Sequence, residues 1–511
     1  MRSMRRLFSP LVGIMALALA LGAAVIVPIT AAQAGPVLPA VQGSQAGPTP
    51  FIAEVTIGNV SLANLTSISF SIQPLTASTT TPISATYAKA YFTNRPALVG
   101  NGTITVPVFG LYASDAHHTN QVTLVVVTSL GTTTLSTTVT TTPWADPVGG
   151  AYTTGMTVKS RNAAVHLGYS YFMLKSLSNG TYGAANPVVM DTDGQVRWVA
   201  DSGVGGGTSV SGFFNQSFYM TLGTTLFRMN LDGTTAQIRN YSGVDQTFNF
   251  WHNLDPGKTG MLLNADGPSN SVESTFFEVD ASGVILKTFD FYQIISAAMT
   301  AGGDDPNQFV SQGGDWFHSN AATYWPAQNE LVVSSRENFI IGINYDTQKI
   351  DWIVGDPSKQ WYQFKSLRHF ALKLAPGTMP PIGQHAVSFT PSGQLLYFND
   401  GQGSYNHPSN QGVTRPYSFP QMLQLDLVKR TATQTWAYYN SQPIWSNICS
   451  SAYQVAGNSY LIDYAAEGNS PEIIGLGANN AVAFDYQFPN AGTCNPWNAL
   501  PITLNSLSFS Q

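Results

Sequence analysis

Three histidines and a serine share one register of a repeating pattern. His252 stands ten residues before Leu262, His385 ten before Leu395, and Ser450 ten before Tyr460. His318 stands thirteen before Leu331, with a longer connection between. Asn320 follows His318 by two, and Arg336 closes the run Val332-Val333-Ser334-Ser335. A neutral imidazole, with an ordinary pKa of about 6.5, is a competent nucleophile or proton carrier near neutral pH. One histidine at a strand start is usually structural. Three of the chain's eight at one register, in consecutive units, point to a shared site. An arginine buried by such neighbours needs an anion, either a protein carboxylate or a ligand. Three histidines also fit zinc. Arg336, always charged, opposes a metal and favours an oxyanion, so no metal is expected. No carboxylate accompanies the histidines as an obvious base.

The elements that must hold these residues are strands. Beyond residue 151, six segments share an apolar strand, a polar turn and a second strand. They are Pro187–Val199, Thr225–Tyr241, Thr275–Phe291, Phe339–Val354, Gln421–Tyr438 and Ala481–Phe488. Each of the later five follows another strand, at Phe218–Leu222, Met261–Asn264, Leu331–Ser334, Leu395–Phe398 and Tyr460–Tyr464. Roughly 60 residues per unit allow four strands and loops, which predicts an all-β, six-bladed β-propeller over 151–511. Equivalent positions in its blades lie around the central axis, where the register residues could converge. Two insertions, one helical at Phe291–Met299 and one at Asp356–Gly383, each precede a register histidine and suit a lid or substrate wall.

Ahead of the repeat, residues 51–146 alternate short β-branched runs with turns, Asn101-Gly102 among them. They predict a small N-terminal β-sandwich. Residues 35–50, rich in Pro, Gly, Ala and Gln, read as a linker. Arg2, Arg5 and Arg6 precede an apolar run from Leu11 to Ile29, and Ala32-Gln33-Ala34 offers a cleavage site. Residues 1–34 therefore read as a signal peptide, an uncleaved anchor being the other reading. The mature protein is expected outside the cytoplasm, periplasmic or secreted, with no stable membrane anchor after cleavage. Cys449 and Cys494, the two cysteines, could form one disulfide there. Charged residues make up 10% of the 511, against about 25% in typical soluble domains. A net charge of −6 leaves no basic footprint for nucleic acid. Asp191-Thr192-Asp193-Gly194 begins like a calcium loop but lacks the distal Glu and reads as a turn.

These residues, taken in order, resemble the bacterial arylsulfate sulfotransferases. The matching pieces are Asp315–Asn320 (DWFHSN), Val333–Arg336 (VSSR), Ile350–Gly355 (IDWIVG), Gly383-Gln384-His385 and Leu395–Gly401 (LLYFNDG). His252-Asn253 matches an earlier family histidine, while Val106–Tyr112 and Thr119–Val122 match the family's N-terminal β-domain. The resemblance implies that His385 is a nucleophile that becomes a sulfohistidine, and that His252, His318 and Arg336 hold the sulfuryl oxygens. It implies Asn320 as a further polar contact, a phenolic sulfate donor, a phenol acceptor, no cofactor, and a homodimer through the N-terminal domain. Ser450 joins on repeat alignment alone. The sequence lacks the closely spaced cysteine pair of some members, so any disulfide is Cys449–Cys494.

Sulfuryl transfer leaves charge on peripheral oxygens, so the protein's tasks are positioning and electrostatic stabilisation. A phenol, with a pKa of about 10 by analogy with Tyr, leaves with modest help from a proton donor such as His252 or His318. No phosphate-cradling glycine loop is present. Trp251, Trp316, Phe317, Tyr362 and Tyr405 are candidates for ring recognition. A non-catalytic secreted propeller that binds a ligand, and a metal-dependent hydrolase or lyase on the same ring, are the competing readings.

Overall fold

Period-two alternation of burial marks strands such as Leu65–Ile72 and Thr119–Thr128, whereas Glu330–Ser335, Leu395–Asn399 and Ser459–Tyr464 are buried throughout, and eight sheets result. They are described from a computed structural model, for residues 37–73, 80–146, 155–176, 187–200, 210–243, 249–267, 271–407, 410–441, 443–468, 470–489, 494 and 497–510. The leader expected over 1–34 lies outside the described residues. Among them, no helix is long and apolar enough to cross a membrane.

Two sheets come chiefly from residues before 146. One joins Ala40–Ala46, Ile52–Gly58, Thr103–Phe109 and Val99–Gly100. The other joins Leu507–Phe509, Ser84–Ala88, Leu65–Ile72, Thr119–Thr128 and Gly131–Thr140. Along Thr119–Thr128, Val122, Leu124 and Val126 are buried while Gln121 of the same strand is exposed, the pattern of a sheet with one solvated face. The linker reading needs correction: Ala40–Ala46 pairs antiparallel with Ile52–Gly58. Its composition is linker-like because it is an edge strand with little to bury.

Six further sheets follow. Four draw on consecutive stretches of chain: Val210–Asn240, Phe250–Asp290, Ser319–Gly355 and Lys373–Ala437, the last with the short strand Lys373–Leu374 parallel at its edge. The first and sixth are completed from far away. Trp497–Ile502 pairs with Tyr171–Ser176 in the first sheet, and Thr157–Arg161 pairs with Val482–Gln487 in the sixth. Ala481–Phe488, expected as a hairpin, therefore holds one strand, whose hairpin partner is Glu472–Leu476. The strand Phe250–Pro256 contacts Ser319–Trp325, which contacts His385–Phe389, which contacts Ser451–Val455. This last touches Trp497–Ile502, so the inner edges form a continuous series.

The apolar cluster of the N-terminal sheets runs on into the first two of the six, through Tyr171, Met173, Trp198, Phe218 and Met229. Trp198 stacks on Phe218 with centroids 4.3 Å apart. Residues Pro39–Gln511 accordingly form one compact unit. The helical insertion is a helix at Phe291–Gly302, capped by Asp290 and ended by left-handed Gly303. It packs on the short helix Lys365–Arg368 from the second insertion. Together they border a cavity of about 880 Å³ that no register histidine lines. Asp191 accepts from the amides of Asp193 and Gln195 and pairs with Arg197, so that motif is an Asx turn.

Candidate active site

Backbone geometry at the inner strand ends makes the site. His252 and His318 adopt left-handed φ angles of 51° and 48°. Ala386, just after His385, has 52°, and Cys449, just before Ser450, has 66°. The ladders slip at the same places, between Phe250 and Leu254, Ser319 and Ala321, and His385 and Ser388. Such slips re-aim side chains at strand ends. A non-glycine residue held there costs about 1–3 kcal/mol, strain that clusters at functional sites.

Carboxylates then tie the histidines together. Glu273 Oε2 lies 3.0 Å from His252 Nε2 and 2.8 Å from His318 Nδ1. Asp315 Oδ2 reaches the same His318 nitrogen at 2.7 Å, and the two imidazole centroids are 4.9 Å apart. Burial alone would lower His318, but the hydrogen bonds and charges of Asp315 and Glu273 outweigh it and raise the pKa to about 9. Burial alone would raise Glu273; the charges and hydrogen bonds of His252 and His318 hold it well below the usual carboxylate range. His318 is thus an imidazolium at neutral pH.

Arg336 donates its amide to His318 O at 3.0 Å. The buried guanidinium pairs through Nη1 with buried Glu337, while its face lies 4.0 Å from the Tyr405 ring. Its Nε and Nη2 have no hydrogen-bond partner among the described residues. Lys359, from the second insertion, donates to the Arg336 and Glu337 carbonyls at 3.1 Å each. Burial pushes its pKa down to about 8.

His385 is buried, and its Nδ1 faces both Gly383 O at 2.9 Å and Asp400 Oδ2 at 2.7 Å. A carbonyl oxygen can only accept, so Nδ1 carries the proton and Nε2 keeps its lone pair. Burial and the positive charges of Arg336, His252 and His318 push His385 well below its usual value. Burial raises Asp400, opposed by Ser450 and Arg336. Both shifts favour the uncharged forms, so the contact is a neutral imidazole whose Nδ1–H donates to Asp400 Oδ2. Ser450 Oγ is 2.7 Å from Ser446 Oγ. Asn320 donates to Gln384 O at 2.8 Å, and its buried Oδ1 has no partner among the described residues.

The sequence profile of the family described as Arylsulfotransferase (ASST) matches residues 155–492. The chain belongs to that family. Arylsulfate sulfotransferase AssT of Escherichia coli is 27% identical over 206 residues, 36% of this chain and 31% of that protein. Among solved structures, a Bacteroides thetaiotaomicron protein of unknown function is 11% identical, with a TM-score of 0.34. The alignment covers 88% of this chain and 98% of that one. The β-propeller domain of Myceliophteria thermophila Cps50 (Swd1) is 9% identical, with a TM-score of 0.32, over 65% of this chain and 99% of that one.

In this arylsulfotransferase family member, His252, His318, Arg336 and His385 interact directly, while Ser450 interacts with Asp400 and Asn320 with Gln384 O. The expectation that no carboxylate accompanies the histidines is corrected by Glu273, Asp315 and Asp400. Glu273, Glu337 and Asp400 each lie in the connection between the second and third strands of consecutive sheets. That shared position was the available signal, though the connections differ too much in length to align by eye. Donor atoms of His252, Glu273 and His318 lie within 4.8 Å of one another and could hold a metal ion. Cys449 and Cys494 are bridged, with Cα atoms 5.5 Å apart.

Proposed function

We propose that the chain is an aryl sulfotransferase that works by a ping-pong mechanism through a sulfohistidine on His385. The observation that carries the reading is the tautomer of His385, a buried neutral imidazole whose Nδ1 is engaged and whose Nε2 is left as the nucleophile. Arg336 supports it, with two buried N–H groups available to sulfuryl oxygens. His318 adds positive charge beside it, and His252, Asn320 and Ser450 complete the polar wall.

In the first half-reaction His385 Nε2 attacks the sulfur of a phenolic sulfate. The N–S bond forms, the ester S–O bond breaks, and phenolate leaves with the bonding pair. His318 protonates it from Nε2, since its Nδ1 is engaged by Asp315 and Glu273. In the second, an acceptor phenol returns a proton to His318 and its oxygen attacks sulfur, breaking the N–S bond. One phenol exchanges for another at little net cost, so no nucleotide donor is required. In this reading the six sheets are propeller blades over 151–511, behind a β-sandwich over 51–146. The mature protein works in the periplasm or outside the cell after losing residues 1–34, and a homodimer would form through the sandwich.

The test mixes purified protein with an aryl sulfate, first without and then with a phenol acceptor. A stoichiometric burst of phenol, one sulfuryl group on the protein by mass, and acceptor-dependent turnover are expected. Absence of acceptor-dependent release, or full activity in His385→Ala, sinks the reading. A second reading, a metal-dependent hydrolase, is favoured by the His252–Glu273–His318 donor set. It predicts stoichiometric metal and loss of activity in chelator.

A further inference from the structure

Of the five aromatic residues that the sequence offers for ring recognition, three belong to packing. Trp316 and Phe317 are core, and Tyr362 is half-buried against the same cluster. Trp251 and Tyr405 remain, 36% and 51% exposed. The Trp251 indole N–H donates to Asp266 Oδ1 at 2.8 Å, which fastens that ring to the segment leading to Glu273. Tyr405 has a different relation to the chemistry, because its ring lies over the Arg336 guanidinium at 4.0 Å.

The ring shields the guanidinium carbon, while two of the guanidinium N–H groups stay available to ligands. Nε and Nη2, which have no partner among the described residues, are edge groups. A sulfuryl oxygen bound at that edge lies beside the Tyr405 ring. Two contacts fix the ring and its loop. Asn447 donates to the Tyr405 hydroxyl at 3.0 Å, and neighbouring Asn406 donates to Asp315 Oδ2 at 2.8 Å, the oxygen that holds His318. An ordered yet half-exposed aromatic ring offers a stacking surface without a large ordering cost.

We infer that Tyr405 is the specificity-determining residue that stacks on the aryl group of a ligand whose sulfuryl oxygens sit on Arg336. The inference rests on the proposed aryl sulfotransfer site. It assigns the preference for aryl over alkyl sulfates partly to binding, in addition to the leaving-group chemistry.

The test uses two unreactive anions, benzenesulfonate and methanesulfonate, titrated calorimetrically into the full chain. Tyr405→Ala is expected to weaken benzenesulfonate about two- to tenfold. Methanesulfonate is expected to bind as before, and Tyr405→Phe is expected to retain the wild-type ratio. The inference is overturned if the ratio of the two affinities is unchanged in Tyr405→Ala, or if neither anion binds. It is equally overturned if both weaken together, which would make Tyr405 a mere support for Arg336, or if the aryl preference is lost only in Trp251→Ala. Turnover of 4-nitrophenyl sulfate is measured separately. A shifted ratio without turnover keeps the aryl subsite and removes the sulfotransfer reading.

Discussion

Asp400 Oδ2 sits 2.7 Å from His385 Nδ1, and both side chains are buried. Asp400 shares that N–H with Gly383 O, so orientation and tautomer of the imidazole are set together. Asp400→Asn offers an amide that can present N–H to Nδ1 and reverse the tautomer. A drop in kcat on the order of 10²-fold or more is expected. Circular dichroism and binding of an unreactive sulfonate should stay near wild type. Wild-type burst kinetics in this variant would show that Asp400 has no part in setting the nucleophile.

The pH profile follows from two shifts of opposite sign. His385 is held well below 6.5, so its nucleophilic form persists through neutral pH and is lost only on acidification. His318 is raised to about 9, so its acidic form is present below that value and lost as pH rises through it. kcat/KM is expected to stay level across neutral pH and to fall near pH 9. In Glu273→Gln the alkaline limb should move to lower pH, with activity at pH 8 falling several-fold more than at pH 6. An unmoved limb would assign it to another group.

The same pair makes stability depend on pH. The raised His318 contributes fully below its unfolded value of about 6.5, and the contribution is lost as pH rises through about 9. The depressed Glu273 contributes above its unfolded value and is lost on acidification through its folded one. The Tm deficit of Glu273→Gln relative to wild type is therefore expected to be larger at pH 6 than above pH 9. Equal deficits would mean that the loss is of packing and not of charge.

Arg336→Lys keeps a cation beside Glu337 but removes the planar fork. The expected cost is about 10²–10³-fold in kcat/KM with a small change in Tm. Arg336→Ala removes the guanidinium partner of buried Glu337, leaving it only Lys359 nearby and the Asn406 amide, and is expected to lose up to about 3–5 kcal/mol of stability. Calorimetric melts beside the kinetics separate the two effects.

Chelation tests the His252–Glu273–His318 donor set directly. Dialysis against a strong chelator is expected to leave transfer intact. Added zinc should inhibit, because it would take the His318 nitrogen that Glu273 and Asp315 hold protonated. Loss of transfer on chelation, restored by metal, would favour the hydrolase reading.

Much of the site was legible because a repeat copies its own geometry. Equal spacing from His252 and His385 to their next strands reflects the same kinked strand start, seen as left-handed φ angles and slipped ladders. Burial of Arg336 followed from the apolar run before it. The carboxylates were hidden because their connections vary: Glu337 follows its strand by two residues, Glu273 by eight. Sheet completion was hidden for another reason. Pairing of Thr157–Arg161 with Val482–Gln487 joins residues more than 300 apart, and no local pattern announces such a partner.

That long-range pairing has a consequence for biogenesis. Trp497–Ile502 enters the first sheet, and Asn498 donates to Asn253, the neighbour of His252. A strand made some 240 residues after His252 thus braces the neighbour of that site residue. A nascent chain cannot assemble the anion pocket until Trp497–Ile502 has emerged, and such non-local closure is slow to form. Reactive chemistry is thereby withheld from partly made protein, and a few residues lost near the carboxyl end should silence a site more than a hundred positions upstream.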